Sequence, residues 1–304
     1  MAPGWLWIVL TVWAGFAQTL RNAAQRSLVD DVGTLGATLT RFLFGLPFAL
    51  AWLAIILLVD GSALASVSPT FLFWVLEGSL AQIVATALLL RVMADRNFAI
   101  GVAYSKTELI QVAVFATVFL GDPASLLTVV AITLATTGVL LLSPGVPGNR
   151  LRSVLQGWTD RSALLGVISG AGFALAAVGY RGAALALDEA PFALAAALTL
   201  VWAQSIQVVV LGGWLLLRDV RVVLALFRLW RYSLVAGFMG AAASAGWFTA
   251  MAIEPVAHVR TLGLVELLFS LAAAQRFFRE RLGRVELAGV VLLTLSLILI
   301  AAGS

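Results

Sequence analysis

Residues 103–115 read AYSKTELIQVAVF, a stretch without glycine or proline inside a long apolar run, and it holds Lys106, the only lysine in the chain. If the run crosses a bilayer as a helix, Lys106 and Glu108 sit where an ionised group costs roughly 2.5–3.5 kcal/mol each. If it does not, the two charges need no explanation. The reading of this stretch therefore decides the fold.

Composition settles which solvent the chain expects. It is 62% hydrophobic and 11% charged, with ten tryptophans and a mean hydropathy of +1.05. A soluble domain carries about a quarter of its residues as charges. Apolar runs of about 20 residues, the length that spans a bilayer as a helix, recur along the whole sequence. The pattern predicts an all-α membrane protein with ten transmembrane helices, over 5–28, 33–59, 70–92, 98–120, 124–142, 162–187, 191–217, 231–253, 256–277 and 284–302. The connections 120–124 and 187–191 are so short that the spans they join must be antiparallel neighbours. The ten-residue alternation of a transmembrane barrel is absent. There is no cysteine and hence no disulfide, and the N-terminus MAPGWLWIVL has no basic region of the kind that opens a cleavable signal.

The loop charges are one-sided. Fourteen arginines lie in or beside the connections after odd-numbered spans: Arg26, Arg91, Arg96, Arg150, Arg152, Arg161, Arg218, Arg221, Arg228, Arg231, Arg276, Arg279, Arg281 and Arg284. The opposite connections and the termini carry no lysine or arginine. The positive-inside rule then places both termini outside, with the arginine-rich loops in the cytoplasm of what is expected to be a bacterial inner (plasma) membrane. Arginines at helix ends point to lipid headgroups as partners, not to nucleic acid. In RDVRVVLALFRLWR (218–231) the four arginines fall on one side of a helical wheel, which suits a helix lying in the interface. The alternative is two extended helix ends joined by a turn.

The chain also repeats itself. A shift of 158 residues lays FLGDPAS (119–125) on FFRERLG (277–283), Asp122 on Glu280 and Glu108 on Glu266; a shift of 157 lays AGFA (14–17) on AGFA (171–174). Five spans per copy is an odd number, so the second copy crosses in the opposite sense. That is an inverted repeat, an arrangement whose substrate site lies near the midplane between the copies. The expected division is a first five-helix repeat over 1–142, a linker over 143–161 and a second repeat over 162–304.

Ten spans in two halves, each with an acidic turn before a glycine-containing last span, resemble the EamA type of the drug/metabolite transporter superfamily. The likeness rests on residues 120–122 with Gly138, and on 280–282 with Glu286, Gly289 and Gly303, and it extends over nearly the whole chain. It implies export or exchange of small metabolites, often amino acids or drugs, with no ATP-binding domain and no cofactor. Two features depart from the family. Neither the fourth nor the ninth span carries the mid-span proline common there, and family diagrams place both termini in the cytoplasm. The arginine asymmetry favours the outside for both.

Spacing nominates the site. Tyr104, Glu108, Gln111 and Phe115 share one helical face, and Gly263, Glu266, Ser270 and Ala273 form a similar stripe on the ninth span. Glu108 and Glu266 each lie ten residues into their spans, about 15 Å deep and so near the midplane. These faces are expected to line a substrate cavity; the alternative is a pair of protonated glutamates hydrogen-bonded in packed protein. Lys106 lies about 200° around the helix from Glu108 and cannot pair with it. It would bind a substrate carboxylate or bridge to another helix. Gln18 and Asn22, in a polar stripe with Gln25 and beside Arg21, join the candidates, as do Gln82 and Trp247. Glu77, Arg181, His258 and Arg260 lie near helix ends, where a long side chain can snorkel to the interface. The stripes Gly166–Gly170–Ala174 and Gly237–Ala241–Ala245 mark close helix seams, and Pro47 should kink the second span.

The function these features suggest is a secondary transporter of small metabolites such as amino acids, in which a midplane glutamate could carry a proton. A cation or drug exporter using the glutamates is the alternative. An enzyme is not expected, because the chain offers Asp30–Asp31 but no second acidic cluster, one histidine and no phosphate loop.

Overall fold

The structure is a computed structural model and describes residues 3–61, 64–95, 105–142, 161–187, 189–269 and 284–302. Among the described residues the secondary structure is helical, without strands. Five stretches are long and apolar enough to cross a membrane: Leu6–Val59, Pro69–Asp95, Leu164–Leu185, Phe192–Arg218 and Trp230–Ile253. The outer faces of the helices carry large apolar side chains, such as Leu58, Leu126 and Leu217, each more than 80% exposed. Soluble monomers rarely present a continuous coat of this kind. Its natural solvent is lipid.

Helix α1 (Leu6–Leu43) is too long for one crossing, and it is not straight. Gly33 has φ 69° and ψ 173°, outside helical space. The Gln25 amide nitrogen donates to the carbonyl of Ala37 at 2.8 Å, although twelve residues of straight helix would separate the two by about 18 Å. The chain therefore folds back at Gly33, in a backbone region open essentially to glycine alone. Helix α2 (Leu46–Asp60) follows a break at Phe44–Gly45. Pro47 sits in its first turn, so the interruption precedes the proline, whose missing N–H and ring bulk end the helix before it.

Prolines and hydroxyls set the other starts. Pro69 opens α3 (Pro69–Asp95), and the Ser68 hydroxyl accepts from the Phe71 N–H at 3.1 Å as its N-cap. Helix α4 (Glu108–Phe115) runs into a π-helical turn, Ala116–Leu120. In α5 (Leu126–Leu142) Ser125 caps the Thr128 N–H. Helix α6 is Arg161–Leu185. Helix α7 (Phe192–Gln207) passes through a second π-helical turn, Val208–Gly212, into α8 (Gly213–Arg218). Then come α9 (Val220–Arg228), α10 (Trp230–Ile253), α11 (Val256–Leu262) and α12 (Arg284–Ala302).

The most extensive pairings are α1 with α10, α3 with α6, and α5 with α12. Helix α9 is the separate helix expected over 218–231, with Val223 and Leu226 buried while Arg221 and Arg228 are exposed. Phe227 packs on Phe44, ring centroids 5.3 Å apart, and Val222 lies over Gly36. The arginine-bearing segment between α8 and α10 thus packs against Gly36 and Phe44, beyond the exposed Gly33 turn. Of the predicted linker 143–161, residues 143–160 lie outside the described residues, and Arg161 already belongs to α6.

Candidate functional site

Within 105–115 the helix is interrupted just before Glu108. Lys106 and Thr107 form a turn, and the Leu109 N–H bonds back to the Lys106 carbonyl at 3.3 Å, an i→i+3 bond. The same tightening occurs beyond α11, where Leu264, Glu266 and Leu267 donate to Thr261, Gly263 and Leu264. Mid-helix turns of this 3₁₀ type often mark hinges or sites. Neither needs a proline. Each rests on a glycine of a neighbouring helix. A methyl at Gly170 of α6 would lie 2.8 Å from the Thr107 hydroxyl and 2.9 Å from the Ser105 carbonyl; one at Gly15 of α1 would lie 3.2 Å from Val265.

The two turns carry opposite charges and face each other. Lys106 Nζ is ion-paired with Glu266. Arg260 Nη2 holds Glu108, 3.0 Å from Oε1 and 3.1 Å from Oε2. Gln18 donates to Glu266 Oε2 at 2.6 Å and accepts from the Trp247 indole N–H at 3.0 Å. The Arg260 guanidinium lies 5.1 Å above the Trp247 ring. The six side chains form a chain, Lys106–Glu266–Gln18–Trp247–Arg260–Glu108, that links α1, α4, α10 and α11 with the two turns. Tightening to three residues per turn brings Lys106 and Glu108 about 40° closer around the axis than a regular helix would. Both therefore reach the same cavity.

That cavity holds about 590 Å³ of unfilled space, part of it open to the outside. Its wall includes Gln18, Asn22, Gln82, Lys106, Glu108, Trp247 and Glu266, all candidates named from the sequence. Gln111 is not among the lining residues, and its side-chain oxygen is buried without a hydrogen-bond partner among the described residues. Tyr104 and Ser270 lie outside the described residues. The glutamates are paired with cations, which does not match the reading in which both are protonated in neutral packing.

The cavity also holds three cations that the sequence ranked lower. Arg260, placed near a helix end by sequence, does not snorkel outward; its side chain is 9% exposed and turns inward. Arg21 and Arg41 are each 3% exposed and line the same wall. Arg21 bonds to the side-chain oxygen of adjacent Asn22, at 2.7 and 3.2 Å. Among the described residues Arg41 makes long hydrogen bonds, 3.5 Å to the Thr86 hydroxyl and 3.4 Å to that of Ser244, and its guanidinium lies 5.0 Å from the Phe42 ring centroid. A signal for Arg21 was present: it lies three residues from Gln18, on the face of the polar stripe. Arg41 had no such companion. Behind it, the Tyr180 hydroxyl donates to Gln82 and accepts from Gln207, both at 3.0 Å.

A second polar cluster closes the end opposite α9. Arg181 bonds Asp122 at 2.6 Å and the carbonyls of Met251 and Glu254 at 2.6 and 2.7 Å. His258 lies between Glu254, 2.6 Å away, and the Thr128 hydroxyl, 2.8 Å away.

No protein-family model and no curated protein matches the chain. Among solved structures, 27 chains match. One crystal structure superposes with a TM-score of 0.64 at 13% identity, covering 96% of this chain and 94% of its own. At that identity the likeness extends to the fold alone.

Proposed function

We propose that the protein is a secondary transporter of small metabolites, such as amino acids, that works by alternating access in the bacterial inner membrane. In this reading ten spans form two inverted five-helix repeats of the EamA kind. The observation that carries it is the pair of facing mid-helix turns cross-linked by Lys106–Glu266 and Glu108–Arg260 over a buried polar cavity. Interrupted helices meeting at a repeat interface are the usual site in inverted-repeat transporters.

The pairing of helices supports the repeat. Under the 158-residue shift Lys106 corresponds to Leu264, so the two turns occupy equivalent places. The first span packs on the eighth as the sixth packs on the third, and the fifth packs on the tenth. Each pairing is what an internal two-fold relation requires. Alternation needs ends that can seal and release. The Arg181–Asp122 cluster supplies a polar seal at one end, and close glycine contacts such as Gly237 against Phe44 allow helices to slide.

Reconstituted full-length protein should take up a labelled metabolite into proteoliposomes, and Glu266→Gln or Glu108→Gln should abolish uptake while the protein still inserts. Undiminished uptake by both variants would sink the role given to the glutamates. A cation exporter fits the site less well, because the cavity wall holds more basic than acidic side chains.

A further inference from the structure

We infer that the cavity binds a small organic anion carrying two negative charges, held between Arg21 and Arg41; the inference rests on the transport reading and names its substrate class. The wall presents four basic side chains, Arg21, Arg41, Lys106 and Arg260, against two carboxylates, Glu108 and Glu266. Both carboxylates are already engaged by Lys106 and Arg260. Arg21 and Arg41 are left without a carboxylate partner among the described residues. Each is 97% buried.

The two arginine side chains also meet at one glycine. A methyl placed on Gly240 of α10 would lie 3.3 Å from Arg41 Cβ and 3.5 Å from Arg21 Cδ. Two like charges on one cavity wall, both removed from water, repel each other and carry an unrecovered desolvation cost. Their hydrogen bonds do little to offset it. Arg41 reaches hydroxyls only at 3.4–3.5 Å, near the limit of a useful bond, and Arg21 leans on its neighbour Asn22. A planar guanidinium presents forked donors that match a carboxylate or a phosphate, often through two parallel bonds. Two such forks accommodate two anionic groups, or one doubly charged group. A single negative charge leaves one arginine uncompensated, and a cationic ammonium would face the surplus directly.

The neutral part of the wall suits the rest of such a molecule. Asn22, Gln82 and Ser244 offer hydrogen bonds to hydroxyls, while Ala176, Ala177 and Phe173 form a short apolar side. Substrate entry would then complete the charge balance of the site. An empty carrier would resist closure around two bare cations, and a loaded one would not.

Calorimetry on the purified, full-length protein in detergent tests this. The probes are succinate, glycerol phosphate, lactate, leucine and tetraethylammonium. Succinate or glycerol phosphate should bind at least about tenfold more tightly than lactate or leucine, and their ratio separates a dicarboxylate site from a phosphate-ester site. Arg21→Gln and Arg41→Gln should each weaken the dianion by about tenfold or more, Arg41→Lys by less, and Arg91→Gln, on the surface, not at all. Equal binding of lactate or leucine by the wild-type protein overturns the inference, whatever the variants do. Exchange assays in proteoliposomes separate the two levels. Dianions that bind but never cross the bilayer overturn the transport reading and leave the site standing. Leucine exchange without dianion exchange leaves transport standing and overturns the dianion site.

Discussion

Lys106 is ion-paired with Glu266 across the cavity, so each half of the chain supplies one partner of a buried salt bridge. Both side chains are under 10% exposed. Breaking such a pair from one side is costly, because the remaining charge stays buried without compensation. Lys106→Met alone should lower the unfolding free energy by about 3–5 kcal/mol, whereas the double variant Lys106→Met/Glu266→Met should recover most of that loss. Denaturant unfolding in detergent measures both. Additive effects of Lys106→Met and Glu266→Met would show that the pair is not coupled.

Gly33 turns α1 back on itself with φ 69°, and nothing stands within 4 Å of the place a methyl would occupy. A cost on Gly33→Ala can therefore come only from the backbone. About 1–3 kcal/mol is expected. Gly213 is equally open but helical, with φ −59°, so Gly213→Ala should be neutral or stabilising by up to about 1 kcal/mol. Thermal unfolding of the two variants side by side checks the contrast.

Gly170→Ala pushes a methyl against the Ser105 carbonyl and Thr107 hydroxyl, moving the turn that carries Lys106. Overpacking of this kind costs about 1–3 kcal/mol. Uptake should fall further than the loss of folded protein accounts for. Gly15→Ala meets a flexible Val265 methyl at 3.2 Å and should be milder in both respects.

Arg181 ties Asp122 to the carbonyls at the end of α10. Arg181→Ala should release that end. The chain has no cysteine, so a single cysteine in place of Ser244 reports cavity access to an impermeant thiol reagent without background. Labelling from the face bearing Asp122 should rise about tenfold for each 1.4 kcal/mol of closure lost. An unchanged labelling rate would show that the cluster does not seal the cavity.

The loop charges predict α9 on the cytoplasmic side and both termini outside. Cysteines introduced beside Arg221 or Arg228 should react only from the cytoplasmic side, and terminal epitope tags should be reached by antibody on intact cells stripped of outer layers. The reverse pattern would invert the orientation.

Much of the architecture was legible in one dimension. A lipid environment imposes apolar runs of fixed length, and arginines mark one side of the membrane, so composition and order were enough to expect membrane-crossing helices. Glycine and proline gave the punctuation, with Gly33, Pro69, Pro191 and Pro255 at turns or helix starts. The shift that aligned Glu108 with Glu266 also nominated two residues that the structure brings to one cavity.

Partner identity was not legible. Symmetry paired glutamate with glutamate, yet each is held by a basic residue from the other half, because like charges at one depth must find counter-charges rather than each other. Helical periodicity put Lys106 on the wrong face, since a local i→i+3 turn changes the angle per residue and leaves no mark in composition. Spacing along the chain does not join Arg41 to Arg21, because the two stand twenty residues apart across a hairpin turned at Gly33. The sequence by itself determined the solvent, the helices and the polar residues that had to be hidden from lipid. Only tertiary structure decided which charges neutralise one another and which two arginines are left facing the cavity, because that balance depends on distances between helices and not on order along the chain.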